Sequence, residues 1–239
     1  MTETKAWGYW ATLGWAVLAF LAGQFIGFGL LLLLRAGVWN SILTTPFDGT
    51  LVTLFIVISN PVTVAVLMLA VRFAGAGQAN YLALHWPQRR DVAMGIAALI
   101  GLIVLCDGLL YLSGRTLVTQ FQLQSYSTAA AEGWLVPMFA AAILIAPAGE
   151  EIMFRGFLYC GWARSERTVW PAIIAISLLW AALHVQYDWT GVLQIFAIGL
   201  FLGWMRWRSG SVLLTFLLHA LFNLEGTMET LVQMHFLAK

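Results

Sequence analysis

The chain has 239 residues, of which 61% are hydrophobic and 10% are charged, and its formal net charge is +1. Soluble globular domains carry about 25% charged residues, so this composition, with a mean hydropathy of +0.85, is typical of an integral membrane protein. The small net charge excludes a basic surface for nucleic acid. Two cysteines, Cys106 and Cys160, are too few for a disulfide framework.

Apolar segments follow one another along the whole chain, and a transmembrane helix needs about 20 of these residues. We predict seven spans, at roughly 8–34, 50–71, 92–112, 134–162, 169–186, 189–206 and 211–224. The first apolar run is too long for a cleavable signal peptide, so we expect it to be retained. Two placements stay open for the apolar tail after residue 224, the membrane interface or an eighth helix. The predicted fold is an all-α polytopic membrane bundle, with residues 1–239 as a single domain.

The basic residues are distributed unevenly between the two ends of the predicted spans. Arg155 lies within a span and is left out of this comparison. One side carries Lys5, Arg72, Arg89, Arg90, Arg164, Arg167, Arg206 and Arg208, and the other carries Arg35, Arg115 and Lys239. Cytoplasmic loops are enriched in Lys and Arg, so this bias predicts a cytoplasmic N-terminus. With seven spans, the C-terminus would lie outside.

Ionisable residues interrupt the fourth predicted span at Glu150, Glu151 and Arg155. An unpaired charge at mid-membrane costs about 2.5–3.5 kcal/mol on translocon scales. Glu151 and Arg155 are four residues apart and lie on one helix face, so we predict an ion pair between them. Glu150 is rotated about 100° away and has no basic partner in its own helix. Pro147, just before it, predicts a local kink.

Two further spans carry polar residues at a comparable depth. Trp180 and His184 are four residues apart and share a face, and so are His219 and Asn223. A single His or Asn in a membrane helix more often links helices by hydrogen bonds than performs chemistry, and the Glu151 ion pair can be purely structural. A carboxylate, two imidazoles and an amide at matched depth nevertheless favour a shared site.

These residues favour general acid–base chemistry over other hydrolytic mechanisms. The sequence contains no H-E-x-x-H motif and no rhomboid-like G-x-S element. A Glu and a His that converge can activate water, and a second His with an Asn can stabilise an oxyanion. Two other functions remain open. The same buried Glu and His residues would suit a proton-coupled transporter, and a catalytically silent immunity or binding protein could keep the fold.

Three motifs resemble those of the CAAX-processing and bacteriocin-processing (CPBP or Abi) intramembrane proteases, which are relatives of the Ras-converting CAAX endopeptidase. EEIMFR at 150–155 is similar to the family's E-E-x-x-x-R, and HALFN at 219–223 to its H-x-x-x-N/D. WAALH at 180–184 is similar to F-x-x-x-H, with Trp180 where Phe is usual. The resemblance covers about residues 134–224, which we expect to form the catalytic core helices.

The resemblance implies a role for each matching residue. Glu150 would be the general base that activates water, His184 would assist it, and His219 and Asn223 would form the oxyanion hole. Glu151 and Arg155 match the motif and would support the site from their ion pair. Trp180, larger than the usual Phe, would narrow the substrate pocket.

Cofactor and substrate follow less directly from the resemblance. The family is grouped with metalloproteases, yet its glutamate can act without a metal, and we expect no tightly held ion. A zinc site built from Glu150, His184 and His219 with one open position stays an alternative. The implied partners are the lipid bilayer and a membrane-embedded or lipidated peptide or protein substrate. The expected location is a bacterial inner membrane. The sequence leaves the substrate, the cleavage site and the oligomeric state open.

Overall fold

The computed structural model describes residues 6–34, 45 and 47–237, and over these residues the chain is built of helices with no strand. The long helices are α1 (Tyr9–Leu34), α2 (Gly49–Phe73), α3 (Arg89–Leu112), α4 (Gln120–Ala131), α5 (Leu135–Trp162), α6 (Glu166–Ala182), α7 (Trp189–Ser209) and α8 (Val212–Leu237), and a one-turn helix lies at Gln78–Tyr81. The predicted fold class, a helical membrane bundle, is confirmed. Lys5, Arg35 and Lys239, used above to infer orientation, lie outside the described residues.

Within the described residues, five helices are long and apolar enough to cross a membrane, namely α1, α2, α3, α5 and α7. Large apolar side chains on their outer faces stay exposed, among them Phe25 at 73% and Leu112 at 81%, as expected for contact with lipid. Helix α6 has 17 residues and ends at Ala182, four residues before the predicted end of that span.

Helices α8 and α4 differ from the prediction. Helix α8 continues without a break to Leu237, so the tail after residue 224 is neither a separate interfacial segment nor an eighth helix. Helix α4 lies between the predicted third and fourth spans and was not anticipated. Its start does carry a sequence signal, because Thr119 and Gln122 form a capping box.

Two glycines set the close packing of α6 against α7. Gly199 and Gly203 are one turn apart on α7, and small residues at this spacing let membrane helices approach closely. A Cβ at Gly203 would lie 2.6 Å from Cγ2 of Ile173, and one at Gly199 would lie 2.9 Å from Cβ of Ser177. The close approach seats Trp180 in the interior, where it is 2% exposed.

Helix α5 contains two π-helical segments, at Ala141–Ile145 and Ile152–Leu158, on either side of the α-helical turn Ala146–Glu151. Pro147 lies two residues after the end of the first π segment, whose wider turn accommodates the missing N–H of proline. Next to it, Gly149 packs so closely on Asn60 of α2 that a Cβ would overlap the Asn60 amide. These features place Glu150 at the contact between α5 and its neighbours.

The packing of α6 on α7 is testable with Gly203→Ala. The added methyl group would meet Ile173, and overpacking of this kind costs about 1–3 kcal/mol. Gly101→Ala on α3 is the matched control, since a Cβ there meets nothing within 4 Å. We expect thermal unfolding in detergent to show a lower Tm for Gly203→Ala alone. Equal Tm values for the two variants would contradict the proposed close contact.

Candidate active site

A fully buried ion pair lies at the centre of the bundle. Glu151 and Arg155 are 0% and 1% exposed, and Nη1 of Arg155 donates to Oε1 of Glu151 at 2.8 Å. The pair has the geometry expected from the spacing of four residues. Because α5 passes through the middle of the bundle, the two side chains between them meet groups from α6, α7 and α8.

Arg155 contacts two further helices. Its Nη2 donates to the carbonyl oxygen of Gly199 on α7 at 3.3 Å, and its guanidinium lies 4.4 Å from the ring centroid of Trp180 on α6. Both contacts suit a cation in a low-dielectric interior. Nε of Arg155 has no hydrogen-bond partner among the described residues. The arginine therefore contributes its charge to the packing of three helices.

His219 of α8 belongs to the same cluster. It is 3% exposed, and its Nδ1 lies 2.9 Å from Oε1 of Glu151, the oxygen that also accepts from Arg155. A neutral ring that donates from Nδ1 leaves a lone pair on Nε2, whereas a doubly protonated ring donates from both nitrogens. Glu151 is thus paired on two sides, and its carboxylate orients the His219 ring.

Glu150 has a different environment from its neighbour. It is half-buried, and Nε1 of Trp180 donates to its Oε2 at 2.5 Å. It forms no ion pair with any described residue, as its position on the helix predicts. The indole N–H is a contribution that phenylalanine, the residue usual at this place in the resembling motif, cannot make. Two adjacent glutamates therefore differ sharply, one neutralised by a cation and one not.

Trp180 connects the polar residues of three helices. Its ring meets the ring of His184 edge-on at 5.2 Å and that of His219 edge-on at 5.1 Å, measured between centroids. Together with its hydrogen bond to Glu150, these contacts place one carboxylate and two imidazoles around one indole. Trp180 thus contacts Glu150, His184 and His219 directly, and its effect on the width of the substrate pocket stays a prediction.

His184 lies just beyond the end of α6, whereas the sequence placed it inside the fifth span. Its Nδ1 is 2.8 Å from the carbonyl oxygen of Trp180, and its ring stacks on Tyr187 with centroids 6.0 Å apart. After Ala182 the backbone bonds tighten, since Leu183 donates to Trp180 and His184 to Ala181, and the chain then turns towards α7. The imidazole is therefore held by the end of the helix and not by a helical face.

Asn223 lies one turn after His219 on α8, but its amide is turned towards α5. Nδ2 donates to the carbonyl oxygen of Ala142, within the first π segment, at 2.8 Å. No hydrogen bond joins Asn223 to Glu150, His184 or His219, all four of which are described residues. The amide carries a second N–H, which this bond leaves available.

A zinc site formed by Glu150, His184 and His219 does not fit the side chains as they are placed. The three protein ligand atoms of a zinc site must lie near one another. Among the described residues, the His, Cys, Asp and Glu side chains whose ligand atoms all lie within 4.8 Å of one another are those of Asp107, Glu225 and Glu229. One carboxylate oxygen of Glu150 is also held by the indole. The chemistry proposed below therefore uses protein groups and water.

One residue that supports the site was not singled out from the sequence. Arg206 lies in the last turn of α7, at the basic end of the bundle, and is 9% exposed. Its Nε donates to the carbonyl oxygen of Arg155 at 2.9 Å, and its guanidinium lies 4.8 Å from the ring centroid of Tyr159. Its place in the last turn of α7 resembles that of ordinary membrane-flanking arginines, so the sequence carries no signal for this contact.

The helices of this bundle have apolar outer faces, and Glu, Arg, His and Asn side chains lie in its interior. These features define a polytopic membrane protein with an intramembrane polar site. Residues 132–224 match the sequence model of the family described as type II CAAX prenyl endopeptidase Rce1-like. This segment contains every residue of the cluster, and the match confirms the resemblance seen in the motifs.

The other comparisons are more limited. An uncharacterized 24.3 kDa protein of Escherichia coli is 37% identical over 84 residues, which cover 32% of this chain and 36% of that protein. The chain thus spans about a third of the length of this curated relative. No solved structure gives a significant match.

The buried ion pair predicts a large effect of Arg155→Met. This variant leaves Glu151 charged without its cation, and breaking a buried pair on one side costs about 3–5 kcal/mol. The double variant Glu151→Gln with Arg155→Met removes both charges, so we expect it to recover part of the lost stability. Chemical unfolding in mixed micelles measures this. If the two substitutions were simply additive, the pair would not be coupled as the structure indicates.

The indole hydrogen bond to Glu150 is testable with Trp180→Phe, which keeps an aromatic ring on Arg155 and removes the N–H. A hydrogen bond to a charged group contributes about 1.5–3 kcal/mol, so we expect a stability loss of that order. Trp170→Phe is the matched control, because Trp170 is 47% exposed at the start of α6. In a Glu150→Gln background, the effect of Trp180→Phe should shrink. An unchanged effect there would contradict the contact.

Proposed function

We propose that the protein is an intramembrane endopeptidase that hydrolyses a peptide bond with water activated by Glu150. The observation that carries this proposal is the contrast between two adjacent glutamates. Glu151 is fully buried and neutralised by Arg155, whereas Glu150 is half-buried and receives one N–H from Trp180. The family whose sequence model residues 132–224 match is described as one of endopeptidases, and this supports the same conclusion.

Glu150 is suited to act as the general base. Its Oε2 accepts from the indole, and its Oε1 makes no hydrogen bond with a described residue and is free to accept a proton from water. The water oxygen then attacks the carbonyl carbon of the substrate, and the carbonyl oxygen becomes an oxyanion. The proton held by Glu150 passes to the leaving amine as the C–N bond breaks. His184, whose ring meets the Trp180 ring edge-on, would assist by hydrogen bonding to the same water.

His219 and Asn223 are the proposed oxyanion donors. His219 would donate from Nε2 while its Nδ1 donates to the Glu151 carboxylate, which requires a proton on each ring nitrogen. Asn223 would use the N–H that is not bonded to Ala142. Donors held in place before the reaction are effective in a low-dielectric site, because they need no reorganisation as charge develops. Glu151 and Arg155 support this arrangement from behind.

The location and substrate class are part of the same proposal. The protein is an integral membrane protein, and we infer a bacterial inner membrane with the N-terminus in the cytoplasm from the distribution of arginines. In this orientation Arg206 and Arg208, in the last turn of α7, mark the cytoplasmic end. A site inside the bilayer takes its substrate from the membrane, so the proposed substrate is a membrane-embedded or lipidated peptide or protein.

The variant Glu150→Gln tests the role of the base. It preserves side-chain shape and removes the proton acceptor, so we expect cleavage to fall by about 10²–10⁴-fold, the usual contribution of general acid–base catalysis. Wild type and variant are purified in detergent and incubated with quenched fluorogenic peptides that contain an apolar segment. Glu166→Gln is the matched control, since Glu166 is exposed in the first turn of α6, and it should cleave like wild type.

Two results would overturn the assignment. Equal cleavage by Glu150→Gln and wild type would show that Glu150 is not the base. Absence of cleavage together with proton flux into liposomes that requires Glu150 would instead favour the transporter. The Tm of each variant is measured in parallel, so that loss of activity is separated from loss of fold.

A further inference from the structure

A cavity of about 460 Å³ opens at one end of the bundle, where the start of α2, the connection between α3 and α4, and the start of α7 meet. Its walls include Phe47, Arg115, Gln120, Phe121, Gln186 and Gln194. None of the four proposed catalytic residues lines it. The cavity lies at the N-terminal end of α7, and Arg206 and Arg208 lie at the C-terminal end of the same helix. It is therefore at the end of the bundle opposite to the basic one.

The charges at this cavity compensate one another. Nη1 of Arg115 lies 3.0 Å from Oδ2 of Asp188 and also donates to Oγ1 of Thr190 at 3.3 Å. The guanidinium lies 5.0 Å from the ring centroid of Trp189. The hydrogen bonds from Thr190 and from the amide of Gly191 hold the pKa of Asp188 below its ordinary value, so its carboxylate stays ionised at neutral pH. The cavity thus presents no free charge from this pair.

The remaining polar wall consists of neutral groups with unused hydrogen-bonding capacity. The carboxamides of Gln120, Gln186 and Gln194 make no hydrogen bond with another described residue. Each offers N–H donors and a carbonyl acceptor, the same combination that a peptide bond presents. Such a wall suits an extended peptide with uncharged polar side chains. A phosphate or carboxylate would require a free cation, and Arg115 is already engaged.

Aromatic rings connect this cavity to the proposed catalytic site. Phe121, in the cavity wall, meets the Tyr187 ring edge-on with centroids 5.6 Å apart, and Tyr187 stacks on His184 at 6.0 Å. A single side chain therefore separates the cavity from an imidazole of the site. Burial raises the pKa of Tyr187, so its hydroxyl stays protonated and this dividing ring is uncharged.

We propose that this cavity is a substrate subsite that binds an extended, uncharged polar segment adjoining the membrane-embedded part of the substrate. The polar segment lies against the glutamines while the neighbouring peptide bond reaches His184 past Tyr187. This rests on the proposed function, since it deepens the account of the same site. Gln194 is the residue whose substitution best distinguishes the subsite from the catalytic site, because it lies on α7 and its carboxamide makes no hydrogen bond with another described residue.

The test measures binding without cleavage. Glu150→Gln protein in detergent is titrated with two dye-labelled synthetic peptides, followed by fluorescence anisotropy. Both contain an apolar Leu/Ala segment of about 20 residues, and one continues into a Ser/Asn/Gly tail. Adding Gln194→Leu should weaken Kd for the tailed peptide by about five- to tenfold, the effect of one lost hydrogen bond, and leave the tailless peptide unchanged. Gln88→Leu, at the start of α3, is the control that should change neither.

The outcomes separate this proposal from the proposed function. Suppose that active protein cleaves peptides with and without the tail equally well, and that Gln194→Leu does not change the Kd of the tailed peptide. The proposed subsite is then wrong, and the proposed endopeptidase activity is retained. If the tail binds through Gln194 and no peptide is cleaved by active protein, the binding site stands and the enzyme is wrong. Tighter binding of a tail of glutamates would overturn the neutral character argued here and indicate an anion site.

Discussion

The buried pair of Glu151 and Arg155 is the constraint on which the rest of this structure depends. Removing two ions from water into a bilayer is costly, and one contact between them does not offset the loss. Here the pair gains a carbonyl oxygen from α7, an aromatic face from α6 and an imidazole from α8. Each of these groups comes from a different helix. The arrangement of α6, α7 and α8 around α5 is therefore tied to satisfying two charges.

The same pair also determines the surroundings of Glu150, the residue next to Glu151. Consecutive positions on a helix point about 100° apart, so Glu150 cannot share the partners of Glu151. It faces Trp180 and the side of the bundle where His184 lies. An ionisable group inside a membrane protein that has no compensating charge is a candidate for function. Glu151 is thus held by partners from other helices, and Glu150 is the residue to which the proposed chemistry is assigned.

The sequence predicted those parts of the molecule that depend on one helix at a time. The spacing of Glu151 and Arg155 correctly indicated an ion pair, and apolar length correctly indicated a helical membrane bundle. The spacing could not indicate that His219 would lie on Glu151, because the rotation of α8 against α5 depends on packing between helices. Likewise, the end of α6 before His184 depends on a cap that hydropathy does not detect.

Charged residues of the last two helices lie at contacts that the sequence does not indicate. The prediction ended the last span at residue 224, whereas α8 continues to Leu237 and carries Glu225 and Glu229, whose carboxylates lie beside that of Asp107 of α3. Arg206, in the last turn of α7, is buried against Tyr159. In each case the neighbouring group is distant in sequence, and composition and periodicity do not reveal it.

The two π segments of α5 have a mechanical consequence. In each π segment, one backbone carbonyl oxygen accepts a hydrogen bond from a side chain of another helix. Asn223 donates to the carbonyl oxygen of Ala142, and Arg206 donates to that of Arg155. The two anchoring points lie on either side of Glu150. A rotation or an axial slide of α5 would break both at once. The two hydrogen bonds thereby hold the Glu150 carboxylate at one depth and in one orientation, although the segment of α5 that carries it is irregular.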